Sequence, residues 1–228
     1  MRFDPCGDAA LLVTFDDTPS PALSRRIAGL HAQLTAGPGR PAGFIEAVPG
    51  FTTLLLLYDP AVTDAARLRA EFEALQSTRS APTASRMWTI PVCYDRTLAP
   101  DLADVAQRCG LSVETVIALH AGRDYTVHLL GFSPGFPYLG DLPEQLTLPR
   151  LAEPRARVPA GAVAIATRYT AIYPQTTPGG WHLIGRTPLA LFDARQTPPA
   201  LLRPGDTVRF TPISLAEFER RTVAESLS

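Results

Sequence analysis

Thirteen of the 23 prolines fall between Pro134 and Pro212, and that crowding sets the strongest limit on the fold. Proline has no N–H for a sheet ladder and breaks a helix interior, so this stretch can hold only short elements on stiff loops. Apolar runs at residues 125–130, 162–166, 170–173, 182–185, 189–192 and 207–210 are strand candidates. The last follows Pro204-Gly205-Asp206, a turn sequence. Short strands joined by proline and glycine turns predict a barrel or a sandwich, and residues 215–223 predict a closing helix.

The first 80 residues carry longer periodic patterns. Residues 10–15 read as a strand ending at Asp16-Asp17. Pro19-Ser20-Pro21 opens a helix in which Leu23, Ile27, Leu30 and Leu34 recur at helical spacing, and Gly37-Pro38-Gly39 stops it. Two strands, 44–48 and 53–58, flank Pro49-Gly50. Asp64 then caps a second helix with Leu68, Phe72 and Leu75 on its buried stripe. These elements predict a small α+β layer over residues 1–80. The polar stretch 76–86 reads as a linker, and residues 87–228 as the second domain. That domain opens with a strand at 87–93 and two short helices. One, at 101–109, is stopped by Gly110, and the other, at 112–120, has Ser112 as its N-cap.

All 21 basic residues are arginine. Without lysine the chain cannot build a Walker-A phosphate loop, a Schiff base or a biotin carrier. A net charge of −1 with dispersed arginines excludes nucleic acid as the main partner. The leucine run at 54–57 is too short for a membrane span, and the N-terminus lacks a signal peptide's apolar core. Cys6, Cys93 and Cys109 are far apart, and the four histidines are scattered, so no metal site is expected. A cytoplasmic protein is the expectation.

Three segments carry more than turn chemistry. The first is Gly131-Phe132-Ser133-Pro134-Gly135-Phe136-Pro137-Tyr138-Leu139. The second is Pro149-Arg150, Pro154-Arg155 and Val158-Pro159-Ala160-Gly161. The third is Ile172-Tyr173-Pro174, Pro178-Gly179-Gly180-Trp181 and Ile184-Gly185-Arg186-Thr187. Singly each is a turn with packed aromatics; together they form a pocket rim.

In this order the segments resemble the small-subunit carboxyltransferase-like family. That family takes in the 5-oxoprolinase B subunits, the allophanate-hydrolase subunit 1 proteins, a segment of urea carboxylase and a sporulation inhibitor of a histidine kinase. The likeness spans the chain in length and layout and is densest from His120 to Thr187. It implies an α+β protein, with a small N-terminal α/β-layer domain followed by a cyclophilin-like β-barrel. It also implies a partner, the C subunit, with a related barrel, alongside a separate A subunit. In the 5-oxoprolinase system the assembly opens the lactam of 5-oxo-L-proline to L-glutamate, driven by ATP. The nucleotide would sit on this chain or with the partner, and the chain would be inactive alone. The alternatives are an inhibitor that binds a sensor histidine kinase, and a component of an allophanate- or urea-type amide hydrolase or carboxylase.

The resemblance assigns catalysis to His120, Arg155 and Arg186. It assigns substrate binding to Phe132, Gly135, Tyr138, Arg150, Gly161, Tyr173, Gly179, Gly180 and Trp181. A phosphate or carboxylate clamp suits the arginines, whose guanidinium groups bond bidentately. For His120 two readings stand: a general acid or base, or an imidazole resting on a helix C-terminus. His128 is expected in the core, His182 at the surface and His31 in solvent. One stretch departs from the family pattern. Ala162, Thr167-Arg168, Tyr169 and Ala171 stand where serine, a glycine pair, glutamine and glycine are usual. If that loop admits substrate, Arg168 and Tyr169 would change what fits.

Overall fold

The computed structural model describes residues 1–36, 40–77 and 85–226, in two compact units, Met1–Ser85 and Arg86–Ser228. The first unit runs β1 (Arg2–Pro5), β2 (Ala10–Thr14), α1 (Pro21–Ala36), β3 (Phe44–Pro49), β4 (Thr53–Tyr58) and α2 (Ala65–Ser77). Its strands form one antiparallel sheet in the order β1-β2-β4-β3. The two-residue period of β4 turns Leu54, Leu56 and Tyr58 inward, where they meet Ile27, Leu30 and Leu34 of α1 and Leu68 and Phe72 of α2. Ser20 caps α1 by accepting from the Leu23 amide at 3.2 Å, and Asp64 caps α2 from the Arg67 amide at 2.8 Å. Strand β1 escapes a reading of periodicity because Arg2-Phe3-Asp4-Pro5 has a single apolar side chain to bury. Helix α2 extends through Gln76 and Ser77, which the sequence places in the linker. Residues 78–84 of that linker, and the Gly37-Pro38-Gly39 stop, lie outside the described residues.

The second unit opens with β5 (Met87–Cys93), α3 (Leu102–Cys109), α4 (Val113–Ala121), β6 (Asp124–Leu130) and β7 (Pro137–Gly140). It continues with β8 (Arg155–Val158), β9 (Ala162–Ala166), β10 (Tyr169–Ile172), β11 (Thr177–Gly179), β12 (His182–Arg186), β13 (Thr207–Ile213) and α5 (Leu215–Ser226). Seven strands close a barrel in the order β10-β7-β6-β13-β5-β12-β9, while β8 and β11 pair as a separate ribbon. The barrel resolves the choice between barrel and sandwich, and the protein is α+β. Gly110 ends α3 in a left-handed conformation, and Ser112 caps α4 from the Thr115 amide at 3.1 Å. Ile90, Val92, Tyr125, Val127, Val163, Ile165, Ile184 and Phe210 share one core with Leu102 and Val105 of α3 and Val116 of α4.

Strand β9 is buried on both faces, and that double burial builds the site. Val163 and Ile165 join the barrel core, whereas Ala162, Ala164 and Ala166 on the other face pack under Phe136, Tyr173 and Trp181. Alanine there leaves room for three large rings. The run at 189–192 is not a strand, because Pro188 and Pro198-Pro199 flank it and only Phe192 pairs, with Ala200. Among the described residues no helix is long and apolar enough to cross a membrane.

Candidate functional site

The loop from β6 to β7 is folded tightly by its own backbone. The Gly131 amide donates to the Phe136 carbonyl at 3.1 Å, and the Phe136 amide to the Ser133 carbonyl at 3.0 Å. Gly135 is left-handed, and a Cβ on it would stand 2.8 Å from the Phe192 Cβ. Phe132 is also left-handed (φ +67°), a conformation that costs a phenylalanine free energy, and the residue is 63% exposed.

Around buried Phe136 the aromatic rings meet edge to face. Tyr173 lies at 5.0 Å, Tyr138 at 5.1 Å, Phe132 at 5.2 Å and Trp181 at 5.9 Å, centroid to centroid. Strand β11 closes over Tyr173 so tightly that a Cβ on Gly179 would fall 2.2 Å from the Tyr173 hydroxyl oxygen. Phe132, Phe136, Tyr138, Arg150, Tyr173, Gly179, Gly180 and Trp181 line a pocket of about 370 Å³, counting its open mouth.

Arg150 brings the only formal charge to that lining, and it makes no ion pair among the described residues. Its segment is held from both sides. The buried His182 imidazole bonds the Pro149 carbonyl at 2.9 Å through Nε2, and the Leu151 amide donates to the Gly180 carbonyl at 2.8 Å. Burial raises the phenol pKa of Tyr138, against the opposing pull of Arg150. Burial likewise pushes Tyr173 to about 12, against a backbone hydrogen bond from Trp181 and the charge of Arg150. Both hydroxyls therefore keep their protons at neutral pH and can donate them. One unpaired guanidinium, two phenol donors and apolar walls suit a small ring bearing one negative charge.

Of the residues the sequence nominates, Phe132, Tyr138, Arg150, Tyr173, Gly179, Gly180 and Trp181 come together here. Gly135 and Gly161 do not line the pocket. They are turn residues, and a Cβ on Gly161 would lie 2.4 Å from the Thr187 carbonyl oxygen. None of the three residues assigned to catalysis lines this pocket, although Arg155 borders it through Gly179 and Trp181. Arg155 pairs with Asp101 at 2.5 Å and reaches the Trp181 carbonyl at 3.5 Å, while the second Asp101 oxygen accepts the Leu183 amide at 2.6 Å. Its charge is already balanced. Arg186 donates to the Ala160 carbonyl at 2.9 Å, lies 5.9 Å from the Phe218 ring centroid, and has its pKa lowered by burial.

His120 lies wholly inside the barrel core. Its Nδ1 bonds the Tyr94 hydroxyl at 2.8 Å, its Nε2 bonds the Thr170 hydroxyl at 2.9 Å, and its ring stacks on Phe210 at 4.6 Å. Burial lowers its pKa to about 3, so it is neutral near pH 7. Neither reading from sequence anticipates this core hydrogen-bonding role.

His182 is buried, which corrects the expectation of a surface residue, while His31 is half-buried on its helix. His128 is buried, as expected. Arg168 and Tyr169 do not line the pocket. Arg168 pairs with Asp141 through contacts of 2.9 and 3.0 Å, whereas the departing Ala162 and Ala171 pack in the cluster beneath the pocket's rings. Phe136 and His182 are the site residues that sequence reasoning missed. Phe136 lies within the first of the three motifs, whereas His182 has no local signal.

The family model for the carboxyltransferase domain, subdomain C and D, matches residues 1–202. The chain is 45% identical over 213 residues to the 5-oxoprolinase B subunit of Escherichia coli O157:H7, covering 90% of this chain and 93% of the relative. It is 36% identical over 229 residues to the 5-oxoprolinase B subunit of Bacillus subtilis strain 168, covering 95% of each. The solved structure of TTHA0988 superposes with a TM-score of 0.80 at 40% identity, over 91% of this chain and 40% of that longer one.

Proposed function

The chain belongs to the carboxyltransferase subdomain C and D family, and from that premise we propose that it is the B subunit of a 5-oxoprolinase. Such an enzyme opens the lactam of 5-oxo-L-proline to L-glutamate, driven by ATP. The observation that carries the reading is the unpaired Arg150 in an aromatic pocket, in a chain whose relatives bear that name over nearly their whole length. The ligand is a five-membered ring with one carboxylate. Arg150 takes the carboxylate bidentately, the walls of Phe136, Tyr138 and Trp181 take the ring, and the protonated phenols donate to the lactam oxygen. The chain's own work is to bind the lactam, orient it and exclude water from it.

Three observations support placing a triphosphate away from this pocket. The chain has no lysine, Arg155 is neutralised by Asp101, and Arg186 is turned to a carbonyl and a ring. We therefore place the nucleotide with the partners, a C subunit with a related barrel and an A subunit, and the active assembly in the cytoplasm. The chain alone is inactive.

Reconstitution tests this reading. Co-expressed with the C subunit, the chain should co-elute with it, and 5-oxoproline-dependent ADP release should require all three proteins. Turnover that persists without this chain would overturn the proposal. So would a chain that ignores both partners and instead blocks autophosphorylation of a sensor histidine kinase.

A further inference from the structure

We infer that the aromatic pocket selects its ligand by charge, accepting a ring with one negative charge and rejecting any ligand that carries an ammonium group. The inference rests on the reading of this pocket as the lactam site. Among the described residues, the lining supplies one cation, Arg150, and no carboxylate. Asp101, near the ribbon through Arg155, is engaged by that guanidinium and by the Leu183 amide. The carbonyls of the neighbouring wall already have donors: Pro149 takes His182, Gly180 takes Leu151, and Trp181 takes Arg155. An ammonium entering this space meets a like charge and loses its water without gaining an anion.

The aromatic rings offer a cation little in exchange. A cation–π cage needs open ring faces around one point. Here the rings pack edge to face on Phe136, so that exposed Phe132 is a single open ring and not a cage around one point.

This arrangement separates substrate from product. In 5-oxo-L-proline the ring nitrogen is an amide and carries no charge. Hydrolysis breaks the C–N bond: water's oxygen joins the carbonyl carbon, and its two protons go to nitrogen. The product therefore has a second carboxylate and a new ammonium. The charge rule that admits the lactam expels L-glutamate as it forms, and it excludes L-proline, a ring of the same size.

Isothermal titration calorimetry on the full chain, alone and in complex with its partners, tests the rule. The probes are 5-oxo-L-proline, pyrrole-2-carboxylate, pyrrolidin-2-one, L-proline and L-glutamate. The two ring anions should bind, with L-proline and L-glutamate weaker by about tenfold or more. Arg150→Gln should weaken both ring anions by about tenfold and leave pyrrolidin-2-one unchanged. L-proline or L-glutamate binding as well as 5-oxo-L-proline would overturn the inference, and this arm uses the unaltered protein. Pyrrole-2-carboxylate binding without 5-oxo-L-proline would uphold the charge rule and sink the lactam reading. Binding of neither anion would overturn the inference itself, whatever the activity of the assembly.

Discussion

Arg150 stands alone in its pocket because the neighbouring guanidinium groups are engaged, and its orientation depends on His182. That imidazole is buried and bonds the Pro149 carbonyl, one residue before Arg150. Replacing it with leucine removes a part-buried hydrogen bond to that carbonyl, which costs about 0.5–1.5 kcal/mol. The freed segment should also weaken 5-oxo-L-proline binding about as much as Arg150→Gln. His182→Gln keeps an N–H donor and should restore part of the affinity. Equal affinities in all three proteins would show that His182 does not position Arg150.

His120 makes the opposite kind of contribution, to stability and not to binding. Its folded pKa of about 3 lies below the ordinary 6.5, so the unfolded chain binds its proton first as pH falls. The stability it contributes is fully present above pH 6.5 and is lost progressively from there toward pH 3, by at most about 1.4 kcal/mol per pH unit. Burial lowers His128 and His31 too, so they bend the curve the same way. Urea denaturation of the protein and of His120→Gln between pH 7 and pH 5 should show a steeper loss in the unaltered protein. Parallel curves would exclude His120 as a source of acid sensitivity.

At the scale of elements, the ribbon of β8 and β11 decides whether the pocket has a wall. The test is a pair of adjacent glycines. A Cβ on Gly179 meets the Tyr173 hydroxyl oxygen at 2.2 Å, whereas one on Gly180 finds nothing nearer than Pro154 Cγ at 3.6 Å. Gly179→Ala should therefore cost about 1–3 kcal/mol by overpacking a buried ring, and Gly180→Ala less than about 0.5 kcal/mol. Thermal denaturation of the two variants decides it, and equal losses would mean that Tyr173 is free to move.

These same elements mark the limits of reading structure from sequence. The unbroken apolar run of β9 and the caps of α3 and α4 are visible locally, because period and capping chemistry act within a few residues. Strands β8 and β11 are not, since Arg155-Ala156-Arg157-Val158 and Thr177-Pro178-Gly179 carry no strand composition and pair only with each other. Gly179 points to the pocket because close packing on the Tyr173 ring demands it. The burial of His182 depends on a carbonyl 33 positions away, and nothing near it in the chain records that contact. Arg155 shows the same limit. An arginine in a proline loop reads as a ligand clamp, and its ion pair with Asp101, 54 residues earlier, leaves no trace in that loop.

On the scale of the whole molecule, the absence of lysine becomes an argument about how work is divided. Phosphates need several cations or a cradle of backbone amides, and carboxylates need one well-placed guanidinium. The barrel unit supplies the second and, among the described residues, not the first. Binding to one exposed arginine also implies a shallow dependence on salt, because a single charge contact is being screened. Equilibrium dialysis of the isolated chain should therefore show saturable 5-oxo-L-proline binding that weakens only slightly as salt rises, and no saturable ATP binding. Adding the partners should introduce the nucleotide site without changing the lactam affinity at Arg150. Saturable ATP binding by the isolated chain, abolished by Arg155→Ala or Arg186→Ala, would return those arginines to phosphate recognition. It would also mean that their contacts to Asp101 and to the Ala160 carbonyl open when nucleotide arrives.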